Sequence, residues 1–454
     1  MRRVSQLTSK CIQRAALCAL VLYVAAPAAI ALPNEQQIAA YDHATENERV
    51  KLLIFLAKQG DAESVDWLLQ KFPLEGPHAK NRALYISGLL KRSKGNLTGA
   101  AKDFRAALAT DPSLTLVRSE LAQILVELQE NDSAKHHLEL LAAEAPDQAT
   151  VSGIRSFIDQ IDAQTPFKYN AYVSMAPSTN LNGGSNHKKV YLDFNGLEIP
   201  IALEQPESGV GFSTGSSVGY SKRLGNDFMF VAAANADATL YRNEDYNTYS
   251  MSQSAEIRRM FSRGYLGLGL VASQTLAHDE FAFSTANFGP RLSMNWQVDA
   301  KNSIGGSAIF QWNNYFENDT SATTMSLNTS WTHGFSSTFN TTLFSSISRY
   351  DNGNAFKSYT TSGNGISIYK ELPQGITANL TGQAALSIFD GFNEGIGKRR
   401  QDLRLTGTIA LTKRDFNIFG YAPSIEYSYS NNLSDLDYAD THSHSFDFRL
   451  TKEF

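Results

Sequence analysis

The sequence predicts a multidomain α plus membrane β protein. A periplasmic, tetratricopeptide-like α-helical domain is followed by an antiparallel transmembrane β-barrel of about 14 strands. Three observations predict it. The hydrophobic period changes from helical to two near Thr165-Pro166. From there onward, alternating segments are separated by turns that switch between short and long. The final nine residues place Phe446, Phe448, Leu450 and Phe454 on one face of a last strand, because side chains alternate faces along a strand. A closing strand with a terminal aromatic reads as a barrel-assembly signal, and Lys452 interrupts its face where a long side chain can snorkel to headgroups.

Residues 1–31 read as a secretory signal peptide. Arg2, Arg3, Lys10 and Arg14 lead into an apolar run from Ala15 to Ala31, and Ala29-Ile30-Ala31 fits the small-x-small cleavage rule. Leu32 is then the expected mature start. Pro27 interrupts the run, which leaves too little for a retained span of ~20 residues. Both cysteines, Cys11 and Cys18, fall in this leader and neither sits at its cleavage point, so no lipoprotein, disulfide or thiol chemistry is expected of the mature chain. The net charge of −5 becomes −9 when the leader's four basic residues, with no acidic ones, are removed. Nucleic acid, which wants a basic surface, is not an expected partner. A mean hydropathy of −0.27 is too polar for a helical membrane protein. A barrel escapes that limit because only every second strand residue meets lipid.

Residues 32–164 form the expected helical domain. Pro112 and Pro146 are 34 residues apart, the tetratricopeptide period. That register aligns Gly88 with Ala122, Ala100 with Ala134, Phe104 with Leu138 and Ala107 with Leu141. Small residues would let paired helices approach, with Phe104 and Leu138 filling the space between hairpins. Gly95-Asn96 and Asn131-Asp132 are the expected turns within repeats. Val50–Lys58 and Ala62–Phe72 read as a degenerate or capping hairpin, and Val151–Ile161 as a cap at the other end. Such stacks present a concave binding face. Arg82, Tyr85, Arg92, Gln123 and Glu127 are the candidate cargo-binding residues on it. Taken one at a time, each is equally well an ordinary solvated side chain.

Residues 165–454 form the expected barrel. Ile376, Ala378, Leu380, Leu386 and Ile388 share one face of a strand, as do Leu403, Leu405, Ile409 and Leu411 of another and Leu266, Leu268 and Leu270 of a third. Short turns are expected near Gly225, Gly264, Lys301, Gly334, Gly375 and Lys413, with mostly longer polar loops between them, among them Glu317–Ala322 and Asn431–Asp440. The fourteen expected strands include 167–178, 322–333, 336–350, 416–430 and 441–454. An even number leaves both chain ends in the periplasm. Within 179–207 two alternating runs flank Asn195-Gly196, a type I′ turn signal, so a hairpin projecting outside or folding over the pore is expected. The alternative is two more barrel strands, sixteen in all.

Catalytic, cofactor-binding and metal sites are not expected. No nucleophile elbow, phosphate loop or zinc spacing occurs. His442 and His444 share a strand face at the expected polar rim. His136 and His137 are adjacent on a helix, so the two cannot face one ligand.

The junction Pro166-Phe167-Lys168 to Pro177-Ser178-Thr179-Asn180-Leu181-Asn182 resembles the entry into the first barrel strand of the Slam family, the surface lipoprotein assembly modulators or type XI secretion outer-membrane proteins. The stretch Gly420-Tyr421-Ala422-Pro423, through Tyr427 to Asn432, to Phe448–Phe454 resembles that family's last two strands. The resemblance implies an outer-membrane translocator, not an enzyme and without a cofactor. It would deliver a cargo protein, a surface lipoprotein or a secreted soluble protein, from periplasm to cell surface. Its helical domain would bind the cargo or a periplasmic chaperone. The barrel-assembly machinery and outer-membrane lipid are the other expected partners. An exopolysaccharide export porin and a plain small-solute diffusion porin are the alternative readings.

Overall fold

The computed structural model describes residues 44–451, apart from 165, 195–196, 226, 278–282, 394–397, 415 and 417–420. The expected leader, the Asn195-Gly196 turn and Phe454 lie outside the described residues.

Seven helices are described: α1 Glu46–Gln59, α2 Ala62–Lys71, α3 Ala79–Ser93, α4 Leu97–Thr110, α5 Thr115–Glu127, α6 Asn131–Ala143 and α7 Gln148–Gln164. They form hairpins that repeat one device. Gly60, Gly95 and Gln129 each end a hairpin's first helix with positive φ, at 82°, 78° and 62°. A left-handed residue there closes the helix and turns the chain. Asp61 and Asn96 then cap the next helix by accepting from the N–H groups of Ser64 and Gly99. The first hairpin is thus built like the second. The third break falls at Gln129, and Asn131 opens α6 instead of making the turn. Phe104 packs within its own hairpin: a Cβ on Gly88 would lie 2.3 Å from its ring, and the ring belongs to the one buried cluster that also holds Val117, Leu121 and Leu125 of the next hairpin. Ala122 and Leu138 pack together in the same way.

The strands are β1 Phe167–Ser178, β2 Lys189–Phe194, β3 Leu197–Ala202, β4 Gly209–Arg223, β5 Phe228–Tyr241, β6 Thr248–Phe261, β7 Gly264–Leu276, β8 Phe283–Gln297, β9 Asn302–Tyr315, β10 Thr320–Ser336, β11 Phe339–Asp351, β12 Tyr359–Leu372, β13 Ile376–Asn393, β14 Lys398–Lys413, β15 Ala422–Ser434 and β16 Thr441–Thr451. Fourteen of them close an antiparallel barrel in which β1 joins β4 on one side and β16 on the other. β2 and β3 form a separate hairpin, so the sixteen-strand alternative fails. Residues 198–202 are exposed on both faces, which leaves the hairpin projecting into solvent.

The barrel has almost no apolar interior. Among the described residues, the buried hydrophobics lie in the helical domain except for Met229, Ala322 and Ala422. Leu266, Leu268 and Leu270 are 53–64% exposed, and Leu380, Ile388, Leu405, Ile409 and Leu411 are exposed with them. Aromatic rings flank this band at both ends: Phe228, Phe261, Trp331 and Phe335 at one, Phe283, Trp312, Phe316 and Phe356 at the other. An apolar belt between aromatic girdles is the outer surface of a membrane barrel.

Three expected boundaries move. β10 starts at Thr320, so the Glu317–Ala322 loop shrinks. Gly334 lies inside β10, not in a turn. A Cβ there would approach that of Ala143 at 3.0 Å, so this glycine makes room for α6. β15 runs over 422–434 instead of 416–430, because Ser424 and Ile425 pair with Thr412 and Leu411, which sets the register from Ala422 onward.

Candidate functional site

The helices meet the barrel at its short-turn end, and the contact is polar and buried. Arg118 falls on the same side of α5 as Leu121 and Leu125, among buried neighbours. Glu371, near the end of β12, points into the lumen, opposite to the lipid-facing Ile366 and Leu372. The side chains of Arg118 and Glu371 are both 0% exposed, and the Arg118 Nη2 donates to Glu371 Oε2 at 2.6 Å. The same Nη2 donates to the carbonyl of Pro112 at 2.6 Å. Arg414, just past β14, reaches the other oxygen of Glu371 at 2.7 Å. The Tyr369 hydroxyl donates to Glu371 at 3.0 Å and meets His136 Nε2 at 3.0 Å. His137 Nδ1 lies 3.2 Å from Arg118 Nη1. Burial holds the His137 imidazole well below its usual range, and the Arg118 cation adds to that. It is therefore neutral and accepts from Arg118. His136 and His137, expected not to share a ligand, converge on one ion-pair cluster through different partners.

Further contacts ring the mouth. Glu144 accepts from the Ser337 N–H at 2.8 Å, in the turn between β10 and β11. Burial pushes its carboxyl up, but the bonds from Ser337 and Thr115 outweigh that and hold it below the usual range. Arg155 bonds Gln297, and Arg223 at the end of β4 pairs with Asp159 at 3.1 Å. Lys168 of β1 pairs with Asp162 of α7 at 2.6 Å. Ala300 packs on Ala142, Ala145 and Val151. Above this seal, His136, Tyr369, Arg414, Glu426 and Arg449 line a cavity of about 340 Å³. The lumen wall higher up is cross-linked by hydroxyl pairs, among them Thr361–Ser387, Ser367–Thr381 and Thr408–Ser428.

The expected concave-face residues are only partly brought together. Arg92 bonds Glu127 at 2.8 Å, Gln123 at 3.2 Å and also Glu120. Tyr85 packs on Phe104, and burial, with Glu120 nearby, pushes its phenol up to about 12. Arg82 instead pairs with Glu46 of α1. Phe446, Phe448 and Leu450 face outward and are 42–45% exposed.

Sequence reasoning missed Arg118, Glu371 and Arg414. One signal was available: an arginine inside the apolar stripe of a helix requires a buried partner. Nothing in a linear reading identifies that partner 253 residues away.

Among known proteins, residues 167–454 match the family model described as surface lipoprotein assembly modifier, and residues 36–138 match that of its N-terminal TPR repeats. A hemophilin secretion modulator of Acinetobacter baumannii is 21% identical over 416 residues, covering 82% of this chain and 79% of its own. Surface lipoprotein assembly modifier 1 of Neisseria meningitidis serogroup B is 22% identical over 222 residues, covering 48% and 43%. Among solved structures, the outer membrane channel DcaP of Acinetobacter baumannii aligns with a TM-score of 0.37 at 7% identity, covering 63% of this chain and 98% of its own.

Proposed function

We propose a mechanism of cargo translocation from the premise that this chain belongs to the surface lipoprotein assembly modifier family. The protein sits in the outer membrane with its helices in the periplasm, and it carries a cargo protein to the cell surface. One observation carries the mechanism. The helical domain covers the mouth by which a periplasmic cargo must enter, and it holds that position through the Arg118–Glu371–Arg414 cluster. Receptor and door are then one body. Cargo engaging the concave face around Arg92, Gln123 and Glu127 would pull on the same helices that close the barrel. A periplasmic chaperone could present the cargo there, and the Phe446, Phe448 and Leu450 face would be read by the barrel-assembly machinery. No catalytic step belongs to this reading.

Size limits what passes. Fourteen strands at ~4.8 Å spacing and a tilt near 40° give a backbone diameter of about 28 Å, and inward side chains leave less than about 20 Å. A folded 100-residue domain has a radius of gyration of about 13 Å, hence a diameter above 30 Å. A single helix with side chains is only about 10–12 Å across. Cargo therefore passes unfolded or as isolated elements. The hydroxyl-lined wall suits this, because Ser and Thr both donate and accept without selecting for charge.

Deleting residues 32–163 tests the reading. Cargo display should be lost while the barrel still inserts. Display that survives unchanged rules out the helical domain as receptor. A plain diffusion porin predicts instead a high, steady conductance from the full chain without cargo, and the sealed mouth speaks against that.

A further inference from the structure

We propose that the joint between β1 and β16 is a lateral gate, through which the lipid anchor of a cargo leaves the lumen for the surrounding membrane. The anchor rests on the translocator reading. The position of the gate rests on the backbone alone.

Among the described residues, every other joint of the barrel is paired along eleven residues or more. Among the described residues, which on β16 end at Thr451, β1 and β16 pair at three positions: Ser174 with Arg449, Met175 with Phe448 and Ser178 with Ser445. The three share one register, in which Ala176 would face Asp447 and Pro177 would face Phe446, yet neither of these described pairs forms. Pro177 has no N–H to donate, and proline is tolerated in strands chiefly at edges. On its other side β1 is paired with β4 at all twelve residues. The strand is whole on that side, and toward β16 it is sparsely paired where both strands are described.

What holds this edge is mostly not ladder. On the lumen side the Ser174 hydroxyl bonds Asp447. On the far side the segment after β1 clasps β16 and the loop before it. The Thr179 N–H donates to the His444 carbonyl at 2.9 Å, and the His444 N–H to the Thr179 hydroxyl at 2.9 Å. Asn180 donates to the His442 carbonyl at 3.0 Å, and Ser185 to that of Asp437 at 2.6 Å. The Thr179–His444 backbone bond continues the register of the three pairs; the remaining bonds, to side chains and loops, can be exchanged for water one at a time, without unzipping a ladder. Beside the joint, Tyr427, Tyr429, His442 and His444 line an open groove of about 640 Å³ on the outer wall. Aromatic and imidazole rings at the rim suit the polar neck of an amphiphile whose chains lie in the bilayer. The physical need is plain. Acyl chains drawn through an aqueous lumen lose their burial, whereas a parted wall keeps them in lipid.

A disulfide tests the gate. Ser178→Cys with Ser445→Cys joins directly paired residues across the seam, at a separation a disulfide spans. Ser326→Cys with Ser348→Cys does the same across the β10–β11 joint as a control. The only native cysteines are Cys11 and Cys18. In the native host, alkyne-palmitate labelling with impermeant surface biotinylation reads anchored proteins at the surface. The seam lock should lower that signal several-fold and a reductant should restore it, while the control lock leaves it unchanged. In parallel, hydrogen exchange of the full chain in nanodiscs should run about tenfold or more faster in 174–178 than in 326–333, and the seam disulfide should abolish the difference. If the seam-locked chain displays like the wild type while loss of the chain lowers display, the gate is overturned and the translocator stands. If loss of the chain leaves display untouched, the translocator reading falls. Exchange then decides the gate, and equal rates at the two joints overturn it.

Discussion

Neutralising Glu371 should release the helical domain from the barrel. Glu371→Gln keeps the shape of the side chain but leaves Arg118 and Arg414 facing each other without a counter-charge. The Arg118 side chain is 0% exposed and that of Arg414 11%. Breaking a fully buried pair from one side costs about 3–5 kcal/mol, because the surviving charge is left uncompensated in a low-dielectric site. Here two cations survive. A cost of ~4 kcal/mol shifts the ratio of docked to undocked helices by roughly three orders of magnitude. Hydrogen exchange of 115–127 reads undocking directly, and conductance across a planar bilayer reads the opened mouth. Both should rise in Glu371→Gln. Replacing Arg118, Glu371 and Arg414 together by Met should return both toward wild type, since apolar side chains of similar volume often stabilise as well as the buried ions they replace. Wild-type exchange and conductance in Glu371→Gln would refute the argument that this cluster closes the barrel.

Other expectations follow from the same geometry. The His137 imidazole is held below its ordinary 6.5, so its contribution is fully present above that pH and is lost as the pH falls beneath it, on the order of 1.4 kcal/mol per pH unit. Thermal melts between pH 7.5 and 5.5 should show this slope, and His137→Gln should flatten it. Gly88→Ala should lower the melting temperature through overpacking of Phe104, at a cost of about 1–3 kcal/mol. Phe104→Leu in the same chain should recover part of the loss. Gln129→Gly should raise stability by about 1 kcal/mol, because φ 62° strains a residue with a Cβ. Arg92→Ala should change melting by no more than about 1 kcal/mol, since its partners are part-exposed, yet reduce cargo captured by the purified helical face.

The barrel was legible because its outer half is a repetitive solvent problem. Leu266, Leu268 and Leu270 must alternate with small or polar residues whatever the neighbouring strands do. The repeat was legible because Gly88 and Phe104 form a packing pair that recurs as Ala122 and Leu138 after one period. The boundaries that shifted did so where tertiary approach set them. Gly334 looked like a turn residue and is a clearance for Ala143. The mouth could not be read, because its residues come from α5, α6, β12 and the chain after β14. Each is ordinary where it stands, and only closure of the barrel brings them together.

The chemistry of the seal says something about its use. A permanent plug is most simply built from apolar packing, which is non-directional and tolerates small misfits. This seal is built largely from ions, imidazoles and a phenol. Such a cluster contributes little net stability over a greasy equivalent, but it fixes one docked geometry and fails sharply once a partner is withdrawn. The ring of lesser contacts is of the same kind: Lys168–Asp162, Arg223–Asp159 and Glu144 to the Ser337 amide. Each gives way when water or a competing peptide group offers the same bonds. An unfolded cargo brings such groups in quantity. The entry that must open for a polypeptide is thus closed by bonds that a polypeptide can replace.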